Sequence, residues 1–226
     1  MEKRDDIETP DVGFACAECG RLACYAGDGR AFPEGCPAPD GAGDELVGRY
    51  LEGEDASLAR EAALVEAHGY GRLTRLEETM DFARRSGYSK LGLAFCVGLR
   101  REAAVVSRVF RANGFSVDSI VCKNAGIGKD EIGISGEDQL RPGEFEAACN
   151  PIGQARALAT AGTELNVVLG LCVGHDSLFF RHSEAPVTVL AVKDRVLGHN
   201  PLAAVYQANS YYRSRLFPES DGEAGG

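Results

Sequence analysis

The sequence predicts an α/β fold: a mostly parallel open sheet with flanking helices, preceded by a small cysteine-rich segment. Three observations carry this reading. Residues 90–96, 115–122, 165–172 and 186–193 are short apolar runs of buried-strand length. Helical stretches lie between them, the alternation that builds parallel sheets. Residues 14–43, by contrast, are rich in Gly, Ala and Pro and lack apolar periodicity, so side chains alone cannot give them a core.

The elements follow in order. Residues 55–68 are Ala- and Leu-rich and stop at Gly69, as a helix does. Thr74-Arg-Leu-Glu77 is a capping box opening a helix to Arg85, with Gly87 beyond it. Leu73, Leu76, Met80 and Ala83 give that helix one core-facing side. The strand at 90–96 leads into a helix at 99–113, which Gly114 ends before the strand at 115–122. Residues 123–142 form a long, polar, Gly-rich stretch, either a cover over a site or a disordered insertion. Asn150-Pro151 reads as a cap followed by proline at the first helical position. His199-Asn200-Pro201 repeats that signal after the fourth strand. The expected organisation is a disordered N-terminus at 1–13, a metal-binding segment at 14–45, an α/β domain at 46–217 and a tail at 218–226.

The chain has 226 residues, with 34 acidic against 24 basic side chains for a net charge of −10. That balance argues against broad phosphate-backbone binding, so no nucleic-acid partner is expected. No apolar run approaches the roughly 20 residues of a membrane span, and residues 1–11 lack the apolar stretch of a secretory signal. A cytoplasmic protein without a membrane partner is expected. No phosphate-loop, dinucleotide-binding or G-x-S-x-G pattern occurs, which removes nucleotide-dependent and serine-hydrolase readings.

Eight cysteines in such a chain point to metal, cluster or redox chemistry sooner than to a disulfide framework. Four fall close together, Cys16, Cys19, Cys24 and Cys36, spaced C-x2-C-x4-C-x11-C and followed by Pro37. A ligand gathering these four thiolates would replace the missing core, because its binding free energy becomes folding free energy. The Cys16-Ala-Glu-Cys19 arm has the spacing that wraps amides around a metal-bound sulfur, with Gly20, Gly27, Gly29 and Gly35 expected to supply positive-φ turns. Spacing matches neither the two-armed zinc pattern nor the ferredoxin run, so Zn2+ and an iron–sulfur cluster both stay open.

The other four, Cys96, Cys122, Cys149 and Cys172, are expected to converge as a second cluster site or as redox thiols. Three close apolar runs, and ligands of open α/β sheets bind outside the carboxyl ends of strands. Cys149 precedes the Asn150-Pro151 helix start, where exposed amides favour thiolate. Phe95-Cys-Val-Gly98 and Leu171-Cys-Val-Gly174 echo one another, each opening onto a helix. The alternative is that these cysteines are small buried hydrophobes. His175 would serve as ligand or proton donor, or merely cap its helix with Asp176. His68 is expected to be solvated and His182 to lie on the surface. Lys193 and Arg195 would hold an anion, or form an internal ion pair beside a helix cap.

Cys-x2-Cys-x4-Cys with Cys36-Pro37, Cys149-Asn-Pro-Ile-Gly-Gln154, Gly170-Leu-Cys-Val-Gly-His-Asp-Ser-Leu-Phe179, Ala185-Pro-Val-Thr188 and Val192-Lys-Asp-Arg-Val196 together resemble a domain-of-unknown-function family. That family occurs in bacteria and archaea, is frequent in anaerobes, and its members are described as metal-binding. The similarity covers nearly the whole chain. It implies metal binding by Cys16, Cys19, Cys24 and Cys36, and it implies no activity. Two functions are therefore expected in competition. One is a metal- or iron–sulfur-binding redox or sulfur-handling enzyme with a small-molecule or redox partner. The other is a non-catalytic zinc-binding sensor, carrier or interaction module.

Overall fold

The structure, a computed structural model, describes residues 14–26, 32–33, 36–37 and 42–217. The expected terminal segments at 1–13 and 218–226, and Gly27, Gly29 and Gly35, lie outside the described residues. The chain divides into two units, residues 1–60 and 61–226, with the boundary inside a helix.

The first unit holds short helices α1 (Ala23–Ala26) and α2 (Ala42–Arg49) and the start of α3 (Gly53–Gly69). The second begins within α3 and continues with α4 (Arg75–Arg85). The α4 capping box is formed: the Glu77 amide donates to Thr74 Oγ1, and the Thr74 amide donates to Glu77 Oε2 at 2.8 Å. Next come β1 (Lys90–Phe95), α5 (Arg100–Ala112), β2 (Ser116–Val121) and α6 (Pro151–Ala161). The chain then runs through β3 (Leu165–Leu169), α7 (His175–His182) and β4 (Val187–Ala191), ending in short helices α8 (Leu202–Tyr206) and α9 (Arg213–Leu216).

The four strands form one all-parallel sheet in the order β2-β1-β3-β4. Strand alternation sorts their side chains onto two faces. Leu91, Leu93, Val117, Leu165 and Val167 pack with Met80 and Ala83 of α4 and Phe110 of α5. Ala94 and Val168 point the other way, against Ala155 and Leu158 of α6 and Phe179 of α7. The result is a three-layer sandwich. Because the chain leaves β1 toward β2 but later places β3 on the opposite side of β1, the sheet switches direction between β1 and β3. Open α/β sheets bind ligands at the carboxyl edge of such a switch.

The expected strands at 90–96, 115–122 and 186–193 are one or two residues shorter at their ends, and two further boundaries shift for local reasons. β3 stops at Leu169 rather than at Cys172, because Gly170 adopts φ +67° and turns the chain. A Cβ there would stand 2.2 Å from Leu99 Cδ1, so glycine is required on both counts. The last helix start also moves, with α8 beginning at Leu202 and Asn200 providing no side-chain cap. Among the described residues, no helix is long and apolar enough to cross a membrane.

Candidate functional site

Register brings the first two sulfurs together. Phe95 pairs with Val121 of β2 and Leu169 of β3. The ladder continues one residue further: the Cys122 amide donates to the Phe95 carbonyl at 2.8 Å and the Cys96 amide to the Leu169 carbonyl at 3.1 Å. With a period of two, Cys96 follows Ala94 and Cys122 follows Ile120 onto the α6/α7 face. Both are buried there, on neighbouring strands roughly 4.8 Å apart.

Cys149 arrives by a longer route. Residues 123–148 leave β2 and return as an ordered loop, closed where the Lys129 amide donates to the Glu146 carbonyl and the Ala148 amide to the Ile127 carbonyl. Two asparagines then fasten the return. Asn124 Nδ2 donates to the carbonyls of Val121 and Asn150, both at 3.0 Å. Asn150 Nδ2 donates to Asn124 Oδ1 at 3.0 Å, its Oδ1 accepts the Gly153 amide, and its own amide donates to the Cys122 carbonyl at 2.7 Å. A Cβ on Gly153 would stand 2.3 Å from Asn124 Oδ1, so only glycine fits against this pair. Cys149 is thus fixed beside Cys122, at the head of α6.

The three thiols titrate as a set. Hydrogen bonding from Cys122 holds the Cys96 thiol down to about 5 against the upward push of burial, helped by the Gly98 amide and Lys193. Cys149 is likewise held at about 5, first by Cys122 and then by Lys123 and His175. Cys122 itself is pushed far up, first by Cys149, then by Cys96 and by burial, while the Val97 amide opposes the shift. The shifts favour ionisation at Cys96 and Cys149 and proton retention at Cys122 between them, with Lys193 on one side and Lys123 and His175 on the other. Cys96 and Cys122 are buried, whereas Cys149 is partly exposed.

Cys172 stands differently. It lies three residues past β3, and its hydrogen-bond partner among the described residues is Arg195, whose Nη2 is 3.0 Å from the sulfur. The structure therefore gathers three of the four body cysteines, with Arg195 assigned to the fourth. Lys193 faces Cys96, its Nζ 3.2 Å from where a Gly98 Cβ would be. Asp194 accepts the Val196 and Leu197 amides as a turn cap, and its own amide donates to His199 Nδ1. His175 opens α7, and its Nδ1 is buried without a partner among the described residues. His182 and His68 are exposed, His68 being in contact with Arg85.

Sequence patterning passed over several contributors. Gln154 is fully buried, and its Nε2 donates to the carbonyls of Phe95 and Ile120, just below the two strand-end cysteines. Its signal was available, since Pro151, Gln154, Ala155 and Leu158 mark one buried helical stripe with a polar residue inside it. Lys123 and the Val97 amide carried no comparable signal.

In the N-terminal unit, Cys16 opens a 3-10 turn whose carbonyl accepts the Cys19 amide at 3.2 Å. The amides of Leu22 and Arg21 hold the Cys19 thiol below its ordinary range. The amide wrap expected around the first cysteine arm thus centres on Cys19, and its positive-φ residue is Leu22 at 45°, not Gly20. Cys16, Cys19 and Cys36 line a pocket of about 230 Å³ with Arg21, Pro33 and Pro37. Cys24 sits on α1 and is exposed. Among the described residues, no three Cys, His, Asp or Glu side chains stand in a metal-holding arrangement.

Residues 38–190 match the family described as Protein of unknown function (DUF1847). The chain is also similar to uncharacterized protein MJ0455 of Methanocaldococcus jannaschii, with 39% identity over 201 residues covering 89% of this chain and 97% of that protein. The chain belongs to the DUF1847 family.

Proposed function

We propose that this DUF1847 protein is a thiol-based redox or sulfur-handling enzyme working through Cys96, Cys122 and Cys149. The observation that carries the reading is one retained thiol, Cys122, placed between two cation-supported thiolates at the carboxyl edge of the sheet. Low-pKa thiolates beside cations are the reactive kind, and a neighbouring thiol is what resolves their adducts. Exposure divides the roles. Cys149, the accessible member, attacks one sulfur of a substrate disulfide; the substrate S–S bond breaks and one substrate thiolate leaves. Cys122 sulfur then attacks Cys149 sulfur, forming Cys122–Cys149 and releasing the second substrate thiolate. As it attacks, Cys122 gives its proton to the adjacent Cys96 thiolate, which passes it to the released substrate thiolate. The substrate disulfide is reduced by two electrons and the protein dithiol is oxidised by two. Lys123 and His175 hold the Cys149 charge, and Gln154 fixes the strand ends beneath the sulfurs.

Cys16, Cys19, Cys24 and Cys36 would bind Zn2+ or an iron–sulfur cluster. Their donor chemistry is soft, three of the sulfurs already line one pocket, and amides stand ready on Cys19. Such a group would supply folding free energy to a segment without its own core, or relay electrons. Both chemistries suit a reducing, cytoplasmic setting.

A second reading draws on the packing of Cys96 and Cys122 with Ala94, Leu158 and Phe179. In it the body cysteines are core, and the protein is a non-catalytic zinc-binding sensor, carrier or interaction module. Trapping separates the two. A Cys122→Ser variant treated with a disulfide substrate accumulates a mixed disulfide on Cys149 in the enzyme reading, and none in the other.

A further inference from the structure

On the opposite face of the sheet, α5 and edge strand β2 enclose an open groove of about 610 Å³. Arg100, Arg101, Arg108 and Arg111 line it, and no carboxylate does. Positions 100, 104, 108 and 111 follow one helical stripe, so three of the guanidiniums line up along the groove while Ala103 and Ala104 keep its floor low. Arg111 spends one donor on the Val117 carbonyl at 2.9 Å. Arg100, Arg101 and Arg108 have no ion-pair or hydrogen-bond partner among the described residues.

This concentration of positive charge occurs in a chain whose net charge is −10. A solvated arginine face is the ordinary alternative, but a second observation stands against it. Ser107 lines the same groove and is 7% exposed, and its hydroxyl is buried with no partner among the described residues. Buried hydroxyls in native proteins are almost always satisfied, so an orphan calls for an absent partner. Ser119 brings a further hydroxyl from the β2 edge.

We propose that this groove binds a small molecule carrying two or more phosphate groups. Guanidinium forks pair with phosphate oxygens bidentately, and several in a row recognise several phosphates in sequence. Ser107 and Ser119 supply the neutral donors, and the low alanine floor and Phe95 accept an apolar portion of the ligand. The acidic balance of the chain disfavours a long phosphodiester polymer. The site is separate from the thiols and does not depend on their chemistry.

Inorganic pyrophosphate titrated calorimetrically into the full chain is the test. Saturable one-to-one binding is expected. Arg100→Ala and Arg108→Ala, both exposed, should each weaken it about tenfold, the loss of one charge-assisted contact. Ser107→Ala should weaken it by a smaller factor, and Arg156→Ala on α6 should leave it unchanged. No saturation at millimolar pyrophosphate would overturn the proposal. So would equal weakening by Arg156→Ala, or a single-stranded oligonucleotide binding more tightly than pyrophosphate.

Discussion

The Val97 amide nitrogen lies 3.3 Å from the Cys122 sulfur, so the turn after β1 donates to the thiol that follows β2. That contact crosses between adjacent strands and fixes the orientation of the central sulfur. Cys122 accepts from the backbone on one side and gives its proton toward Cys96 and Cys149 on the other.

The reactivity of Cys149 should show its depressed pKa. An ordinary thiol titrates near 9.0, whereas Cys149 is held at about 5. Its alkylation by iodoacetamide, followed by peptide mass spectrometry, should stay nearly constant as pH falls from alkaline to neutral and be half lost near 5. Lys123→Ala should move that midpoint upward. A half-maximal rate near the ordinary thiol value would contradict the electrostatic account.

The same shifts set a direction for stability. A thiol whose folded pKa lies below its unfolded value stabilises fully above the unfolded value, and that stabilisation is lost as pH falls through the folded one. Cys96 and Cys149 therefore make the fold weaken between about 9 and 5, measurable as a declining urea midpoint. Cys122, shifted upward, works against stability at alkaline pH, but its hydrogen bonds are what hold Cys96 and Cys149 down, so Cys122→Ala should flatten the decline between about 9 and 5.

Asn150→Ala removes the α6 cap and half of the Asn124–Asn150 staple. A loss of about 1–2 kcal/mol in denaturant unfolding is expected. Cys122 should also become open to alkylation, since losing the Asn150 side chain frees Asn124, whose Nδ2 ties the end of β2 at Val121 to the returning chain at Asn150. A variant with wild-type stability and a still-protected Cys122 would show that the staple does not position the site.

The sheet was legible because each strand is short and apolar and a helix separates it from the next. The capping box at Thr74 and the Asn150-Pro151 start both formed where local chemistry placed them. The convergence of Cys96 and Cys122 was also legible in outline, since both close a strand with the same parity. What the sequence hid was tertiary. Cys172 reads as a strand end until Gly170 turns the chain toward Arg195. Asn200-Pro201 copies the signal at Asn150-Pro151, yet His199 takes φ +68° and Asn200 caps nothing, because Asp194 organises that turn instead. The amides that support Cys19 come from residues whose side chains give no hint of the role.

For the N-terminal segment, Cys16→Ser and Cys19→Ser should each lower the zinc or iron bound per chain, counted by elemental analysis. Residues 14–43 should become more susceptible to limited proteolysis while the α/β unit keeps its melting transition. Unchanged metal content with unchanged resistance in both variants would contradict a metal-built segment.

The most direct measurement is a disulfide map of the full chain after exposure to glutathione disulfide, with free thiols blocked by iodoacetamide before digestion. The account requires a Cys122–Cys149 peptide pair as the main product in the α/β unit, with Cys172 alkylated. Cys96, Cys122 and Cys149 all recovered as alkylated thiols, with oxidation confined to Cys16, Cys19, Cys24 and Cys36, would contradict it.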